Sequence, residues 1–420
     1  MASPTVHENV ANVVRDWAGD VCSVARQPIL TMSGRLHGYE LLLRNGTANA
    51  ACPNENAIDN LLDDTVVFGL ERYTNGFPAF VCCTAEALMG QLVRVLPPAL
   101  TVLTIAESIH PTMELADACR NLKARGFRLA IDDFTARPHP LLEMADYVRV
   151  DYGVPEPIGR TKLQFVPNSG RIAMVAKRLD TQEEYARARK EGFTLFQGDF
   201  FFRPALVKNR KVPANRLFHF EILQSLYREP VDLKKLSLQV MRDASLTYRL
   251  LRLVNSPVCA IRQEVHSIEA AIIIVGVDMF RRFATMAVLS ELNTDQYPEV
   301  LHLALLRGRF CELGARMCRQ NPAEQYLLGL FSLLPAMLRL PIEEAIEALP
   351  LRHEIRQALC GIDNHERCLL SWLERHERGN WQACDQIAET NRLSPPQLTR
   401  FYGEAALWAQ QALQSASAQG

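Results

Sequence analysis

The sequence predicts a β/α barrel followed by an all-helical domain, an α/β fold joined to an all-α one. Three observations carry this. Eight short β-rich runs lie within the first half, helical patterns fall between most of them, and beyond residue 213 the chain is patterned as helix almost throughout. A length of 420 residues fits two or three domains.

The β-rich runs are Val21–Leu30, Leu36–Leu43, Ala79–Cys83, Leu100–Ile105, Phe127–Ile131, Tyr147–Val150, Ile172–Ala176 and Thr194–Phe196, with helices such as Met113–Arg125 and Thr181–Glu191 between them. Eight strands with intervening helices suit a closed barrel. A doubly wound open sheet is the alternative, but no G-x-G-x-x-G follows the first strand. Arg203-Pro204, the basic Lys208, Arg210 and Lys211, and Val212-Pro213 then punctuate the chain as a linker. The expected division is an extension over 1–20, a barrel over 21–207, a linker over 208–212, a helical domain over 213–390 and a C-terminal helix and tail over 391–420.

In the helical half, Ser245 is expected to cap a helix with Leu246, Leu250, Leu253 and Val254 on one face, stopped by Asn255-Ser256-Pro257. Ser267 caps the next, Gly276 ends it, and Asp278 caps a third carrying Phe280, Phe283, Ala287 and Val288. Further helices are expected over Arg216–Tyr227, Pro298–Arg319, Glu324–Arg339, Ile342–Ala348, Glu354–Cys360, Arg367–Glu377 and Pro395–Gln411, with Ser415–Gly420 a disordered tail.

Composition narrows the function. Hydrophobic residues make up 48% and charged residues 22%, as in a globular protein. Residues 1–210 hold 23 basic and 24 acidic side chains and the whole chain has a formal net charge of −1, so bulk nucleic-acid binding is not expected. No apolar stretch approaches the ~18 residues of a membrane span, and Met1–Asp20 has no signal-peptide apolar core, which points to a cytoplasmic protein. The 11 cysteines show no C-x-x-C pair, so neither a disulfide framework nor a zinc site is expected.

A β/α barrel works at the C-terminal ends of its strands. Those ends carry Cys82, Glu107, Asp132 with Asp133, Asp151, Lys177 and Gln197, with Glu40 inside the second strand. Carboxylates gathered at one mouth repel unless divalent cations or basic side chains lie between them. A two-metal phosphodiesterase-like site is one reading, and acidic solvated loops are the other.

The motifs then resemble a known family. Arg26-Gln27-Pro28-Ile29, Tyr39-Glu40-Leu41-Leu42-Leu43-Arg44, Ile131-Asp132-Asp133-Phe134 and Phe196-Gln197-Gly198-Asp199-Phe200-Phe201 with Pro204 resemble the EAL family over Val21–Ala205. These are bacterial cyclic di-GMP phosphodiesterases on a modified β/α barrel. The resemblance implies that Glu40, Glu107, Asp132 and Asp133 would hold Mg²⁺ in an active enzyme, with Gln27, Arg44 and Gln197 available to the nucleotide. This chain departs from the pattern at several positions. Cys82 stands for the family's Asn and Arg149 for its Lys two residues before Asp151. Ala176-Lys177-Arg178-Leu179-Asp180 replaces A-E-G-V-E, so Lys177 and Asp180 take the places of its two Glu residues. The loop after Asp133 reads Phe134-Thr135-Ala136-Arg137-Pro138-His139 and lacks the family's glycines.

Lys177 adds a cation where a divalent ion would sit. Two unit charges at ~4 Å and an effective dielectric near 20 interact by about 4 kcal/mol, roughly doubled for a divalent ion. Lys177 should therefore compete for the carboxylates, and Arg149 adds charge that it cannot shed as a proton. Lys177, with Arg149 beside it, is expected to replace the metal, leaving no catalytic residue and no metal or other cofactor.

The helical half resembles the HDOD domain, through Asp243-Ala244-Ser245-Leu246-Thr247-Tyr248-Arg249-Leu250-Leu251-Arg252-Leu253-Val254-Asn255-Ser256, Ser267-Ile268, Gly329-Leu330-Phe331-Ser332-Leu333-Leu334 and Leu349-Pro350-Leu351. HDOD domains are helical relatives of HD phosphohydrolases that generally lack the metal-binding His-Asp. None of the ten histidines here precedes an Asp, and His219 reads as a packing residue. The expected function is a non-catalytic signalling scaffold that binds other signalling proteins through the helical domain, with weak or absent cyclic di-GMP binding. An Mg²⁺-dependent phosphodiesterase or a non-hydrolysing receptor for the nucleotide are the alternatives.

Overall fold

The computed structural model describes residues 24–44, 70, 74–90, 92–135, 139–153, 172–202, 214–227, 231–255, 265–292, 297–347 and 349–417. The expected extension 1–20, the linker 208–212, and Pro204, Ser256 and Pro257 lie outside them.

Eight strands close into a barrel in sequence order: β1 Val24–Thr31, β2 Leu36–Leu43, β3 Ala79–Cys82, β4 Thr101–Ala106, β5 Arg128–Asp132, β6 Tyr147–Asp151, β7 Ala173–Lys177 and β8 Leu195–Phe196. All eight expected runs become strands. The parallel ladder of β2 through β8 is interrupted by β1, which pairs antiparallel with both β2 and β8. The reason is connection length. A parallel neighbour needs a crossover of a dozen or more residues, whereas only Met32–Arg35 separates β1 from β2. Reversing β1 brings the start of that strand, not its end, to the barrel mouth. In the described part of the barrel the helices are α1 Ala85–Met89, α2 Met113–Ala124 and α3 Gln182–Lys190. The α3 helix opens on a full capping box, Thr181 with Glu184.

Strand alternation decides what fills the barrel. One interior layer is apolar, with Ile29, Phe80, Val102, Ala130, Tyr147, Val175 and Leu195 packed together. Two residues nearer the mouth, the same alternation brings Gln27, Cys82, Thr104, Asp132, Arg149, Lys177 and Gln197 inward, and β2 adds Glu40 opposite Gln27. A polar layer thus rests on an apolar floor.

The second half is helical: α4 Ala214–Tyr227, α5 Leu233–Met241, α6 Ala244–Val254, α7 Ile268–Val275, α8 Val277–Leu292, α9 Pro298–Gly314, α10 Pro322–Phe331, α11 Leu334–Leu338, α12 Ile342–Ile346, α13 His353–Leu359, α14 Cys368–Glu377, α15 Trp381–Asn391 and α16 Pro395–Ser417. Several expected boundaries are corrected. Asp243, not Ser245, caps α6, because its carboxylate lies two residues earlier, just before the first helical residue, and accepts from Leu246 N–H. Asp278 lies inside the first turn of α8 rather than capping it. The expected Glu324–Arg339 helix breaks at Ser332-Leu333 into α10 and α11. α5 and α15 were not anticipated. The expected tail is helical through Ser417, since α16 buries Leu398, Tyr402, Ala405 and Ala409. The α9 helix is buried nearly all round, between α10, α14 and α16. No helix among the described residues is long and apolar enough to cross a membrane.

The domains meet along the outer face of β1 and β2. There the Tyr39 hydroxyl donates to Glu299 Oε1 at 2.8 Å and Arg26 Nη2 lies 2.5 Å from His302 Nε2, all four side chains being buried. Tyr297 adds edge-on contacts to Phe200 and Phe201, each with ring centroids 5.8 Å apart.

Candidate functional site

The polar layer centres on Arg149. Its side chain is 0% exposed, and Nη2 lies 2.6 Å from Glu40 Oε1 while Nη1 donates to Asp132 Oδ2 at 3.0 Å. Nη2 also donates to Gln197 Oε1 at 3.0 Å. The Gln197 amide nitrogen donates onward to Glu40 Oε2 at 2.5 Å and to Gln27 Oε1 at 2.8 Å. Lys177 approaches Asp132 from the β7 side, with Nζ 2.5 Å from Oδ1, and also reaches Asp133 Oδ1 at 2.8 Å.

Local backbone makes this possible. Asp133 sits at φ +51°, a left-handed conformation that Asp tolerates, and its N–H donates to Asp132 Oδ1 at 2.9 Å. That turn leaves the Asp133 carboxylate facing Lys177. Gly198, at φ +146°, lets the chain leave β8 against Leu179, where a Cβ would lie 2.3 Å from the Leu179 carbonyl oxygen. No side chain fits there, and Gln197 is held inward.

The charges respond as their neighbours require. Burial alone would raise the Asp132 carboxyl, but the Arg149 guanidinium and then the Lys177 ammonium outweigh it and hold its pKa below the usual value. Burial and the nearby Arg149 would lower Lys177, yet Asp132, Glu40 and Asp133 together raise it. Burial likewise opposes the charge on Arg149, and Asp132 and Glu40 restore it.

Seven of the expected site residues meet in this network: Gln27, Glu40, Asp132, Asp133, Arg149, Lys177 and Gln197. Five do not. Glu107 accepts from the Thr135 N–H and hydroxyl, the latter at 2.7 Å, so its bonds tie down the loop after Asp133. Asp151 pairs with Arg178 Nη1 at 3.0 Å and accepts from Gly153 N–H. Asp180 is exposed, its N–H donating to Glu184 at the start of α3. Cys82 is half-buried and disulfide-bonded, which was not expected from the sequence. Short-range cysteine spacing gives no signal for such a bond.

Arg44 is drawn out of the network altogether. Its Nη2 donates to both carboxylate oxygens of Asp385 on α15, at 2.7 and 2.8 Å. Gln27 also donates to the Glu377 carbonyl oxygen at 3.2 Å, and Arg378 pairs with Asp199 at 2.8 Å. Behind them Glu377 holds the buried Arg307 at 2.6 Å. The end of α14 and the start of α15 therefore lie against the barrel rim. Sequence reasoning missed Arg307, Glu377, Arg378 and Asp385, and no local signal could have found them, because Arg44 and Asp385 are 341 residues apart.

An eight-stranded barrel with a reversed first strand, an acidic and amide-lined mouth and a helical partner domain define an EAL-type barrel joined to an HDOD domain. The HDOD domain family matches residues 213–339. The chain is 30% identical over 399 residues to the uncharacterized protein YuxH of Bacillus subtilis, covering 92% of this chain and 97% of that one. It is 31% identical over 379 residues to cyclic di-GMP phosphodiesterase CdgJ of Vibrio cholerae, covering 86% of each. Among solved structures it is similar to Klebsiella pneumoniae BlrP1 in its calcium and cyclic di-GMP complex, at 22% identity and a TM-score of 0.35, over 43% of this chain and 55% of that one. The chain belongs to the EAL/HDOD family of two-domain proteins.

Proposed function

We propose that this protein acts in cyclic di-GMP signalling in the cytoplasm as a regulatory protein that does not hydrolyse the nucleotide. The observation that carries this is Arg149. A fully buried guanidinium bridges Glu40 and Asp132, two of the carboxylates that family resemblance assigns to a divalent ion. With Lys177 on the other oxygen of Asp132 and on Asp133, and Glu107 bonded to Thr135, all four of those carboxylates already have partners. A divalent cation would have to displace two internal cations from a low-dielectric site, so the residues present do not fit the metal. The vestigial set is then Gln27, Glu40, Arg44, Cys82, Glu107, Asp132, Asp133, Arg149, Asp151, Lys177, Asp180 and Gln197, with no catalytic role expected.

The helical domain is the part proposed to meet other signalling proteins. Leu238 and Met241 on α5 and Ile273 and Ile274 on α7 are exposed apolar side chains on helices that pack together, and Ile273 is 82% exposed.

Cyclic di-GMP incubated with the full chain and Mg²⁺ or Mn²⁺ is expected to remain intact. Appearance of the linear dinucleotide, abolished by Glu40→Ala, would establish the phosphodiesterase reading instead.

A further inference from the structure

The interface between the domains has two tiers of different character. Under the outer face of β1 and β2, Tyr39, Arg26, Glu299 and His302 are buried together, and breaking that contact would strand polar groups out of water. At the rim the contacts are wetter. The side chains of Arg44 and Asp385 are 25% and 28% exposed, and those of Arg378 and Asp199 are 43% and 18% exposed. Part-exposed ion pairs are individually weak and are screened by salt. The first tier anchors the domains, the buried Arg307–Glu377 pair and Trp381 anchor the root of the rim segment, and only the part-exposed Arg44–Asp385 and Arg378–Asp199 contacts are placed to let go.

The segment making the rim contacts is the turn from α14 to α15, Arg378-Gly379-Asn380. Gly379 has φ +66°, and a Cβ there would lie 2.9 Å from Leu42 Cδ1, so the turn is pressed onto β2. It leaves a cavity of about 30 Å³ between Gln27, Asp199, Arg307, Glu374 and Arg378. That is room for a water or two and not for a nucleotide.

The chemistry of the rim contacts is that of a ligand. Arg44, whose guanidinium suits a carboxylate or a phosphodiester equally, holds the Asp385 carboxylate, and the Gln27 amide holds a backbone carbonyl. We propose that the Glu377–Asp385 segment is an internal lid that occupies the anion-facing rim of the barrel, so that a phosphodiester ligand at Arg44 and Gln27 and the seated lid exclude each other. The rim contacts release while Tyr39–Glu299 and Arg26–His302 keep the domains joined and the buried Arg307–Glu377 pair holds the root of the lid on α9. Only the choice of cyclic di-GMP as the ligand rests on the signalling role proposed above.

Charge exchange on the full chain tests the lid. Arg44→Asp is expected to raise amide exchange across Trp381–Asn391 about tenfold, with β1 and the first turns of α9 unchanged, and Arg44→Asp combined with Asp385→Arg is expected to restore protection. Unchanged exchange in the single variant, or a double variant as loose as the single, would overturn the proposal. Asp385→Ala, which leaves Arg44 in place, is expected to bind cyclic di-GMP at least about tenfold more tightly than wild type, as the lid no longer competes. Equal affinity would overturn the exclusion. If neither protein binds while exchange behaves as expected, the lid stands and cyclic di-GMP is not its ligand.

Discussion

Replacing Arg149 with methionine is expected to lower the stability of the protein by about 3–5 kcal/mol, the usual consequence of removing one partner from a buried charge network. Methionine fills much of the same volume, so the loss measures charge and not a cavity. Glu40 and Asp132 would then share the mouth with Lys177 as the nearest cation, at 2.5 Å from Asp132. The pH dependence has a definite sign. Asp132 titrates below its ordinary value of 3.8 in the folded protein, so its contribution is present above that value and is lost as pH falls through the lower folded one. The gap between wild type and Arg149→Met should be full near neutrality and should narrow below about pH 4. Denaturant unfolding at pH 7 and at acid pH measures both, and a gap under about 1 kcal/mol at pH 7 would contradict the bridging role.

Lys177→Ala is expected to cost less, about 1–3 kcal/mol, because Asp132 keeps Arg149 and Asp133 is half solvated. The Lys177 side chain is 12% exposed, which argues against a solvated loop lysine whose removal would cost about half a kcal/mol or less. Two limits bound the effect in pH. On the acid side it shrinks with the protonation of Asp132. On the alkaline side, Lys177 is raised above its ordinary 10.5, so its contribution is complete below that value and is lost as pH rises through the higher folded one. A plateau between these limits is the expected profile, and a penalty that grows toward acid pH would rule the pairing out.

The order of barrel then helical domain, the eight strands and seven of the twelve expected site residues were legible in the sequence. Short β-rich runs marked the strands, strand ends and the second run marked Glu40, Asp132, Asp133, Lys177 and Gln197, and the family resemblance added Gln27 and Arg149. The reversal of β1 also leaves a trace, since the four residues Met32–Arg35 are too few for a parallel connection. Arg149 is visible in the sequence only as a departure from the family's Lys. Its importance comes from Tyr147 and Arg149 sharing the inward face of β6, which puts the guanidinium at the barrel axis between β2 and β5. Lys177, expected to be the main counter-charge, reaches Asp132 and Asp133 from one side. The rim contacts had no trace at all. Asp385 and Arg378 look like ordinary charged residues near helix ends until a distant strand is folded against them.

The most direct measurement of the central claim is the thermal melting of the wild-type protein in chelator and in excess Mg²⁺ or Mn²⁺. A site that still took the ion would gain about 2.7 kcal/mol at a hundredfold excess over its Kd, an easily visible shift. With Arg149 and Lys177 already paired to Glu40, Asp132 and Asp133, superimposable melts are expected. A clear metal-dependent rise in Tm would contradict the replacement of the metal by Arg149 and Lys177, because the ion would then hold the position of the two side chains.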